Sequence, residues 1–299
     1  MISVKSEREL EKMRASGRVT AQVLAELKHA VKPGATTAQM NALADRLIRA
    51  QNGVPAFLGY HGFNGSICAS VNDEVVHGIP ADRKLREGDL FKIDIGAVVD
   101  GWYSDMAATI AVGEISSAAK RLMLVTEEAL YVGIGAVRAG AHLSDIGNAV
   151  QSYVERNGYS VVRALVGHGV GTHLHEEPAV PNFGRKGMGP VLKPGMVFAI
   201  EPMVNAGSFE VRTLDDGWTV VTKDGKWSAH FEHTVAVTPH GYEILTVRDA
   251  AEAADLNQRA ENGGALGETT SRNATAFGKE EATEDRRRFA IAQRRSDRS

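Results

Sequence analysis

The sequence predicts a mixed α/β (α+β) fold made of two related halves, each with two helices followed by strands. Helical periodicity appears near the start and again near the middle of the chain, and strand-like segments follow each helical pair. Short motifs also recur about 106 residues apart. The 299 residues are 43% hydrophobic and 24% charged, so they can bury a large core.

The first half opens with two predicted helices. Ser6 and Glu9 form a capping-box pattern, and apolar residues follow at helical spacing, which predicts an amphipathic helix over residues 7–31. A second helix is predicted over residues 37–52, where an Asn-Gly pair is typical of a left-handed helix end. Strand-like segments then continue to about residue 112.

The second half repeats this order. A third helix is predicted from residue 117 to about 138, and a fourth from 144 to another Asn-Gly pair at 157. Strand-like segments then dominate to about residue 247. The same succession of elements therefore occurs twice.

Two motifs support an internal repeat. The Val-Lys-Pro-Gly-Ala segment at residues 31–35 recurs as Val-Arg-Ala-Gly-Ala 106 residues later. The Leu-x-x-Gly-x-x-Phe-x-Ile pattern that starts at Leu85 recurs 107 residues later, which places Asp94 opposite Glu201. Chance similarity of turns is the alternative, since Lys-Pro-Gly turns are common. A true duplication would bring the two acids together across a pseudo-two-fold axis.

The end of the chain differs in composition. We predict a catalytic domain over residues 1–247 and a charged, disordered tail over residues 248–299. A short helix around Phe289 and Ile291, or a weak contact with RNA or the ribosome, is an alternative to a solvated run of charges.

Composition narrows the function. A formal charge of -3 gives no reason to expect nucleic acid or an anionic membrane as the main partner. The N-terminus carries charges where a signal peptide would need an apolar stretch, and no segment has the length of a membrane span, so we expect a soluble, cytoplasmic protein. The single cysteine, Cys68, cannot form an intramolecular disulfide or a thiolate cluster, so any metal needs oxygen and imidazole ligands.

Two acids fall on one predicted hairpin. Asp100-Gly101 is a strong turn signal between two strand-like runs, and this turn would pair Gly96 with Asp105. Asp94 and Asp105 then project from one side as diagonal neighbours. Asp94 lies within an apolar run, where an unpaired carboxylate is costly and a metal ion would supply the missing charge. Either acid alone is more typical of a turn or an exposed edge.

Three more residues are candidate ligands. Glu201 ends an apolar strand, Glu232 lies in the last strand, and glycines flank His168 on both sides. Each residue also has an ordinary structural interpretation. For His168, the reason is that isolated buried histidines are more often structural than ligands. Together with Asp94 and Asp105, however, they supply four carboxylates, whose charge matches that of two divalent cations. Such a pair, about 3.5–4 Å apart, could activate a water molecule.

Two further histidines lie in similar His-x-x-Pro settings, at His77 and His175. A loop histidine has many possible roles. Beside a metal cluster, this pair would suit hydrogen bonding to a substrate and to a tetrahedral intermediate.

Over residues 2–247 the chain resembles the bacterial type I methionine aminopeptidases. The motifs that carry the resemblance occur in the family's order: residues 58–63 with His77-Gly78-Ile79-Pro80, residues 92–96, residues 167–171 with His175-Glu176-Glu177-Pro178, and Ile200-Glu201-Pro202. The resemblance implies a pita-bread fold with a curved, mainly antiparallel sheet. It also implies removal of the initiator methionine from nascent polypeptides when the second residue is small.

The resemblance assigns roles to the candidate ligands. It implies that Asp94 binds one metal ion, that His168 and Glu201 bind a second, and that Asp105 and Glu232 bridge both. The two divalent ions could be cobalt, manganese, iron or zinc, because oxygen-rich ligands with one imidazole are compatible with all four.

The resemblance also assigns the substrate contacts. His175 would lie near the scissile amide and His77 would assist turnover, and the apolar methionine pocket maps to Tyr60, Phe63, Cys68 and Trp218. Leu174 and the Phe63-Asn64 pair depart from residues frequent in relatives, which affects the expected substrate range. We expect a monomer, with the ribosome as a candidate partner.

Two other functions fit the same residues less well. A proline-specific relative, an X-Pro aminopeptidase or prolidase, usually carries an additional N-terminal domain. A non-catalytic binding protein of the same fold would normally lose metal ligands. The sequence retains all five ligands and both histidines.

Overall fold

The computed structural model describes residues 2–262, in which helices cover one face of a large antiparallel sheet. Within these residues the chain forms five α-helices: α1 (Glu7–Ala30), α2 (Thr37–Ala50), α3 (Ser117–Gly135), α4 (Ser144–Arg156) and α5 (Ala250–Asn262). The first four agree with the sequence prediction to within a few residues. None of the described helices combines the length and apolar character needed to cross a lipid bilayer.

The described strands are short apart from one long hairpin. They are β1 (Val54–Pro55), β2 (Ile67–Val71), β3 (Glu74–Val76), β4 (Leu90–Val99), β5 (Trp102–Ala111), β6 (Ser160–Val161), β7 (Gly167–Gly169), β8 (Glu176–Val180), β9 (Val197–Ile200), β10 (Met203–Asn205), β11 (Val211–Thr213), β12 (Val220–Thr222), β13 (Ser228–His230), β14 (Glu232–Thr238) and β15 (Gly241–Ile244). A single 3-10 turn, Tyr60–Gly62, lies between β1 and β2.

The main sheet has nine strands in the order β1-β4-β5-β14-β9-β7-β8, with β2 beside β4 and β15 beside β14. All of its pairings are antiparallel. Strands of the first half occupy one side of this order and strands of the second half the other. The halves meet where β5 pairs with β14.

Helix caps explain where the helices begin. The amide of Gln39 donates to the Thr36 hydroxyl (3.2 Å) while the Thr36 amide donates to the Gln39 side chain (3.0 Å), so a capping box starts α2. At α1 the Glu9 carboxylate accepts from the Ser6 amide at 2.7 Å. The predicted capping box at this position is confirmed.

The connectors confirm the internal repeat. Gly34 donates to the Leu85 carbonyl at 2.8 Å, and its counterpart Gly140 donates to the Leu192 carbonyl at 3.0 Å. A bridge between Thr36 and Lys84 likewise has its counterpart between His142 and Val191. The two halves therefore share backbone pairing as well as sequence motifs.

The core lies between the helices and one face of the sheet. Leu24 of α1, Ile48 of α2 and Ile93 of β4 belong to one buried cluster, which Phe198 of β9 also joins. Because successive strand residues point to opposite faces, Asp94 projects away from this cluster. The helices thus leave the other face of the sheet for a site.

Helix α5 corrects the predicted domain boundary. The sequence predicts a charged, disordered tail from residue 248, yet Ala250–Asn262 form a helix with Leu256 and Ala260 buried. Arg259 pairs with Glu127 (3.1 Å) and Glu128 (2.9 Å) of α3. The short helix proposed around residues 289–291 and the rest of the predicted tail lie outside the described residues.

Replacing Arg259 tests whether α5 belongs to the folded domain. Arg259→Met removes two ion pairs and a cation-π contact with Tyr131 (4.1 Å), so we expect the free energy of unfolding to fall by about 1–2 kcal/mol in urea titrations. Arg248→Met is the matched control, because its pair with Glu252 lies on the exposed surface and contributes about 0.5 kcal/mol or less. Equal effects of the two substitutions would contradict the docking of α5.

Candidate metal centre

The long hairpin of β4 and β5 positions the first two acids. Asp100 and Gly101 have φ angles of 49° and 81° and form the turn, so Gly96 pairs with Asp105 as the sequence predicts. Asp94 is then the diagonal neighbour of Asp105 on the same face. The aspartates are held by a continuous ladder of backbone hydrogen bonds.

The second half contributes the glutamates. Glu232 is the first residue of β14 and pairs with Ala107 of β5, the residue that Asp94 also faces from β4. Glu201 directly follows β9, whose last residue pairs with His233 of β14. Acids from both halves therefore meet across the junction of β5 and β14.

His168 completes the cluster from β7, which lies beside β9. Its flanking glycines permit close backbone packing, because a Cβ on Gly167 would collide with the Ala199 carbonyl and one on Gly169 with the Glu177 carbonyl. Nδ1 of His168 lies 3.0 Å from the Gly169 carbonyl, to which it donates, and this leaves Nε2 as a lone-pair donor. Nε2 lies 3.7 Å from Asp105 Oδ2 and 3.5 Å from Glu201 Oε1.

Burial favours the protonated forms of these acids. It raises the pKa of Asp94 to about 7. Burial, and then the neighbouring carboxylates, raise the pKa values of Asp105, Glu201 and Glu232 well above their ordinary range. Burial also lowers the pKa of His168 to about 3, so this imidazole is neutral at pH 7.

The cluster fits a divalent cation. One potential ligand atom from each of Asp105, His168 and Glu232 lies within 4.8 Å of the other two. Oδ1 of Asp94 and Oε1 of Glu232 are buried without a hydrogen-bond partner among the described residues. Unpaired buried carboxylate oxygens are costly, and a metal ion would satisfy both their charge and their lone pairs.

The ligand cluster opens into a cavity of about 130 Å³. All eleven residues that the sequence analysis proposed for the site line it: Tyr60, Phe63, Cys68, His77, Asp94, Asp105, His168, His175, Glu201, Trp218 and Glu232. Phe57 and Leu174 complete the lining. The structure therefore brings all of the proposed residues together.

The cavity has an aromatic wall. The rings of Phe63 and Trp218 meet edge to face, with centroids 5.1 Å apart. Cys68 faces Asp94 across the β2–β4 pairing, and burial, followed by that carboxylate, raises the pKa of its thiol well above the ordinary value. Cys68 thus contributes an uncharged apolar surface beside the acids.

The two loop histidines lie at the rim of the ligand cluster. The Tyr60 hydroxyl and His175 Nδ1 are 2.7 Å apart, which leaves His175 Nε2 free, and the His175 ring lies 4.1 Å from that of His168. Burial lowers the pKa values of both His77 and His175, so both are neutral hydrogen-bonding groups at pH 7.

Sequence reasoning missed three residues around the site. Phe57 lines the cavity from the loop after β1, and no local pattern marks it. His61 stacks edge to face on Tyr60, with ring centroids 4.4 Å apart. His230 is buried beside the glutamates, and in the sequence only its nearness to Glu232 marks it.

The comparison with known families agrees with this geometry. The family model described as metallopeptidase family M24 matches residues 11–239. The chain belongs to metallopeptidase family M24.

Within family M24 the chain is similar in sequence to bacterial methionine aminopeptidases. Methionine aminopeptidase 1 of Bacillus subtilis is 54% identical over 246 residues, which are 82% of this chain and 99% of the relative. The solved structure of methionine aminopeptidase from Rickettsia prowazekii has a TM-score of 0.82 at 46% identity and covers 83% of this chain and 100% of that one. These matches confirm the resemblance to bacterial type I methionine aminopeptidases and the pita-bread fold.

Other M24 enzymes share the fold at lower identity. A prolidase from Pyrococcus furiosus has a TM-score of 0.66 at 21% identity, and this chain covers 66% of its length. Identity at this level establishes a common fold and nothing about substrates.

A partly buried ion pair fixes the loop that carries His175 in this M24 chain. The Glu176 carboxylate accepts from Lys5 Nζ (2.8 Å), from the Ser3 hydroxyl (2.6 Å) and from the amide of Thr172 (2.8 Å). Although burial opposes ionisation, the hydrogen bonds from Lys5 and Ser3 hold the pKa of Glu176 at about 2. The carboxylate thereby ties the N-terminal segment to the loop beside the ligand cluster.

Neutralising Glu176 should destabilise the fold in a pH-dependent way. Its pKa is lower in the folded state than the unperturbed value of about 4.3, so its stabilising effect is complete above that pH and is lost as the pH falls towards 2. We expect Glu176→Gln to lower the free energy of unfolding by about 2–3 kcal/mol at neutral pH.

Urea unfolding at neutral pH and near pH 3 measures this difference. Glu177→Gln is the matched control, because Glu177 is the exposed neighbour of Glu176 and its replacement should change stability by about 0.5 kcal/mol or less. A loss of stability for Glu176→Gln that stays constant with pH would contradict the assignment.

Proposed function

We propose that this chain is a methionine aminopeptidase, a metal-dependent hydrolase that removes the initiator methionine from nascent polypeptides. The observation that carries this proposal is the cluster of four carboxylates and one imidazole at the base of an apolar cavity. It occurs in an M24 chain that is 54% identical to a methionine aminopeptidase over nearly the whole length of that relative.

The proposed metal centre holds two divalent ions. Asp94 would bind one, His168 and Glu201 would bind the other, and Asp105 and Glu232 would bridge them. Four carboxylates balance the charge of two such ions, and a neutral His168 leaves this balance unchanged. When bound, the ions supply an activated water molecule and polarise the scissile carbonyl. Cobalt, manganese, iron and zinc all suit these ligands.

The chain's own histidines orient the substrate. Tyr60 holds His175 through Nδ1, so Nε2 of His175 can hydrogen-bond to the scissile amide. His77 lies within the same cavity, with its ring 6.4 Å from that of Trp218, and would assist as the bond is cleaved. Both residues are neutral, and a neutral imidazole can donate or accept a hydrogen bond; in His175 only Nε2 is left for the substrate, because Tyr60 engages Nδ1.

The cavity wall selects methionine. Tyr60, Phe63, Cys68 and Trp218 present an apolar surface to which an unbranched, polarisable thioether can adapt. Phe57 and Leu174 extend that surface beyond the residues that the resemblance assigned. A small second residue in the substrate avoids a clash near the metal ions, so we propose this preference as well.

The proposed substrate also bears on the protein's location in the cell. Nascent polypeptides are the proposed substrate, so we place the activity in the cytoplasm. We predict from the sequence that the protein is a monomer and that the ribosome is a candidate partner.

Peptide hydrolysis tests the proposed function. The metal-stripped protein, supplied with Co²⁺ or Mn²⁺, should cleave Met-Ala-Ser and leave Met-Leu-Ser and Ala-Pro-Ser uncut. Asp94→Asn should lower kcat/KM by about 100-fold or more, because it removes a metal-binding charge. Asp100→Asn is the matched control, since Asp100 lies in the hairpin turn of the same strand pair and asparagine tolerates its positive φ.

Each other outcome selects a different function. Cleavage of Ala-Pro-Ser would favour a proline-specific enzyme. Failure to cut any of the peptides with any metal would favour a non-catalytic binding protein.

Metal binding should release protons and strengthen with pH. Because the metal-free protein holds protons on its buried acids, with the pKa of Asp94 at about 7, a metal ion must displace them. We expect affinity for Mn²⁺ to rise as the pH increases through neutrality. Titration calorimetry in two buffers of different ionisation enthalpy measures the released protons. An affinity that does not change between about pH 6 and about pH 8 would contradict this account.

A further inference from the structure

His230 is a buried polar side chain to which neither the metal ligands nor the substrate pocket assign a role. Only 1% of its surface is exposed. Neither ring nitrogen has a hydrogen-bond partner within residues 2–262, and His230 is not part of the cavity lining. An unpaired buried polar group costs about 1–3 kcal/mol, so its retention beside the acids calls for a partner.

The backbone holds His230 firmly in place. It ends β13, where it pairs with Met203 of β10. Its amide donates to the Thr109 hydroxyl at 2.9 Å, and that hydroxyl donates to the His230 carbonyl at 2.8 Å. The imidazole can therefore move only by rotation of its own side chain.

The imidazole faces two of the proposed ligands. Its Nε2 lies 3.9 Å from Glu201 Oε2 and 4.0 Å from Glu232 Oε2. The other oxygen of Glu201, Oε1, lies 3.5 Å from Nε2 of His168. The two oxygens of the Glu201 carboxylate thus face different imidazoles.

This division suggests separate tasks for the two oxygens. The Glu201 oxygen that faces His168 is placed to bind the same metal ion as His168. The oxygen that faces His230 would not bind that ion. Carboxylates that bind metals usually accept a hydrogen bond on the remaining oxygen, and such bonds fix their orientation. A neutral histidine has one N–H to donate.

We propose that His230 is a positioning residue of the metal centre, whose Nε2–H donates to the Glu201 oxygen that does not bind metal. The inference rests on the proposed metal centre. A side-chain rotation that closes the gap by about 1 Å would complete this hydrogen bond. The bond would hold Glu201 in the orientation that the metal ion requires before it arrives.

Variants of His230 whose side chains differ in the position of their hydrogen-bond donor test this hydrogen bond. Glutamine can place an amide N–H near the position of Nε2, whereas the shorter asparagine cannot, and leucine has no donor at all. We expect His230→Leu and His230→Asn to weaken Mn²⁺ binding by about 10–100-fold and His230→Gln to retain most of the affinity. Calorimetry on the metal-stripped full chain measures the affinity, and the absorption spectrum of bound Co²⁺ reports on its ligands.

His233→Leu is the matched control. His233 is also buried next to Glu232, but its Nδ1 lies 2.8 Å from the Thr246 hydroxyl, away from the ligands. This variant should lower the thermal stability of the metal-free protein and leave its metal affinity unchanged. If His230→Leu fails to fold, the comparison of glutamine with asparagine still decides the matter.

The outcomes separate this inference from the proposed function. Wild-type affinity in both His230→Leu and His230→Asn would overturn the positioning role. Equal loss in all three His230 variants, with a changed Co²⁺ spectrum, would show that His230 binds metal directly and would also overturn it. A wild-type chain that binds no Mn²⁺ would overturn the metal centre itself, and the inference with it.

Discussion

Four buried or half-buried carboxylates around one cavity are the constraint on which the rest of this molecule depends. Their mutual repulsion and the loss of hydration oppose bringing Asp94, Asp105, Glu201 and Glu232 together in ionised form. Protons on the acids reduce this repulsion in the metal-free protein, and divalent cations would replace those protons in the proposed metal centre. The metal-free and metal-bound states therefore differ in proton content as well as in occupancy.

The sheet supplies the rigidity that this constraint demands. Each acid lies in or directly after a strand, and the strands are joined by continuous backbone pairing from β4 through β5 and β14 to β9. The helices pack on the opposite face, so apolar burial stabilises the platform without entering the site. Strand alternation separates the residues of the core from those of the site, since Ile93 and Ile95 point into the core and Asp94 points out of it.

Much of this could be predicted from the sequence because the decisive signals are local. The Asp100-Gly101 turn determines the register of the β4–β5 hairpin, and that register alone brings Asp94 towards Asp105. The matched connectors at Gly34 and Gly140 reveal the repeat, since both donate to the equivalent leucine carbonyl. The resemblance to a known family then supplied the roles that geometry alone left open.

What escaped prediction depends on tertiary neighbours. Helix α5 buries only Leu256 and Ala260 among alanines and charges, which is too weak a stripe to recognise, and its docking depends on glutamates more than a hundred residues earlier. Phe57 reaches the cavity only because β1 pairs with β4. His230 looks ordinary until the fold places Glu201 and Glu232 on one side of its ring.

The position of β14 affects how the chain folds during its synthesis. This strand lies at the centre of the sheet, between β5 and β9, although it is formed late in the sequence from residues 232–238. During synthesis the two halves of the sheet therefore cannot join until β14 has been made. Contacts over such sequence separations form slowly, so the ligand set is completed only when nearly the whole domain has been made. A partly synthesised or truncated chain would thus lack a working centre, and activity would itself report that the domain is complete.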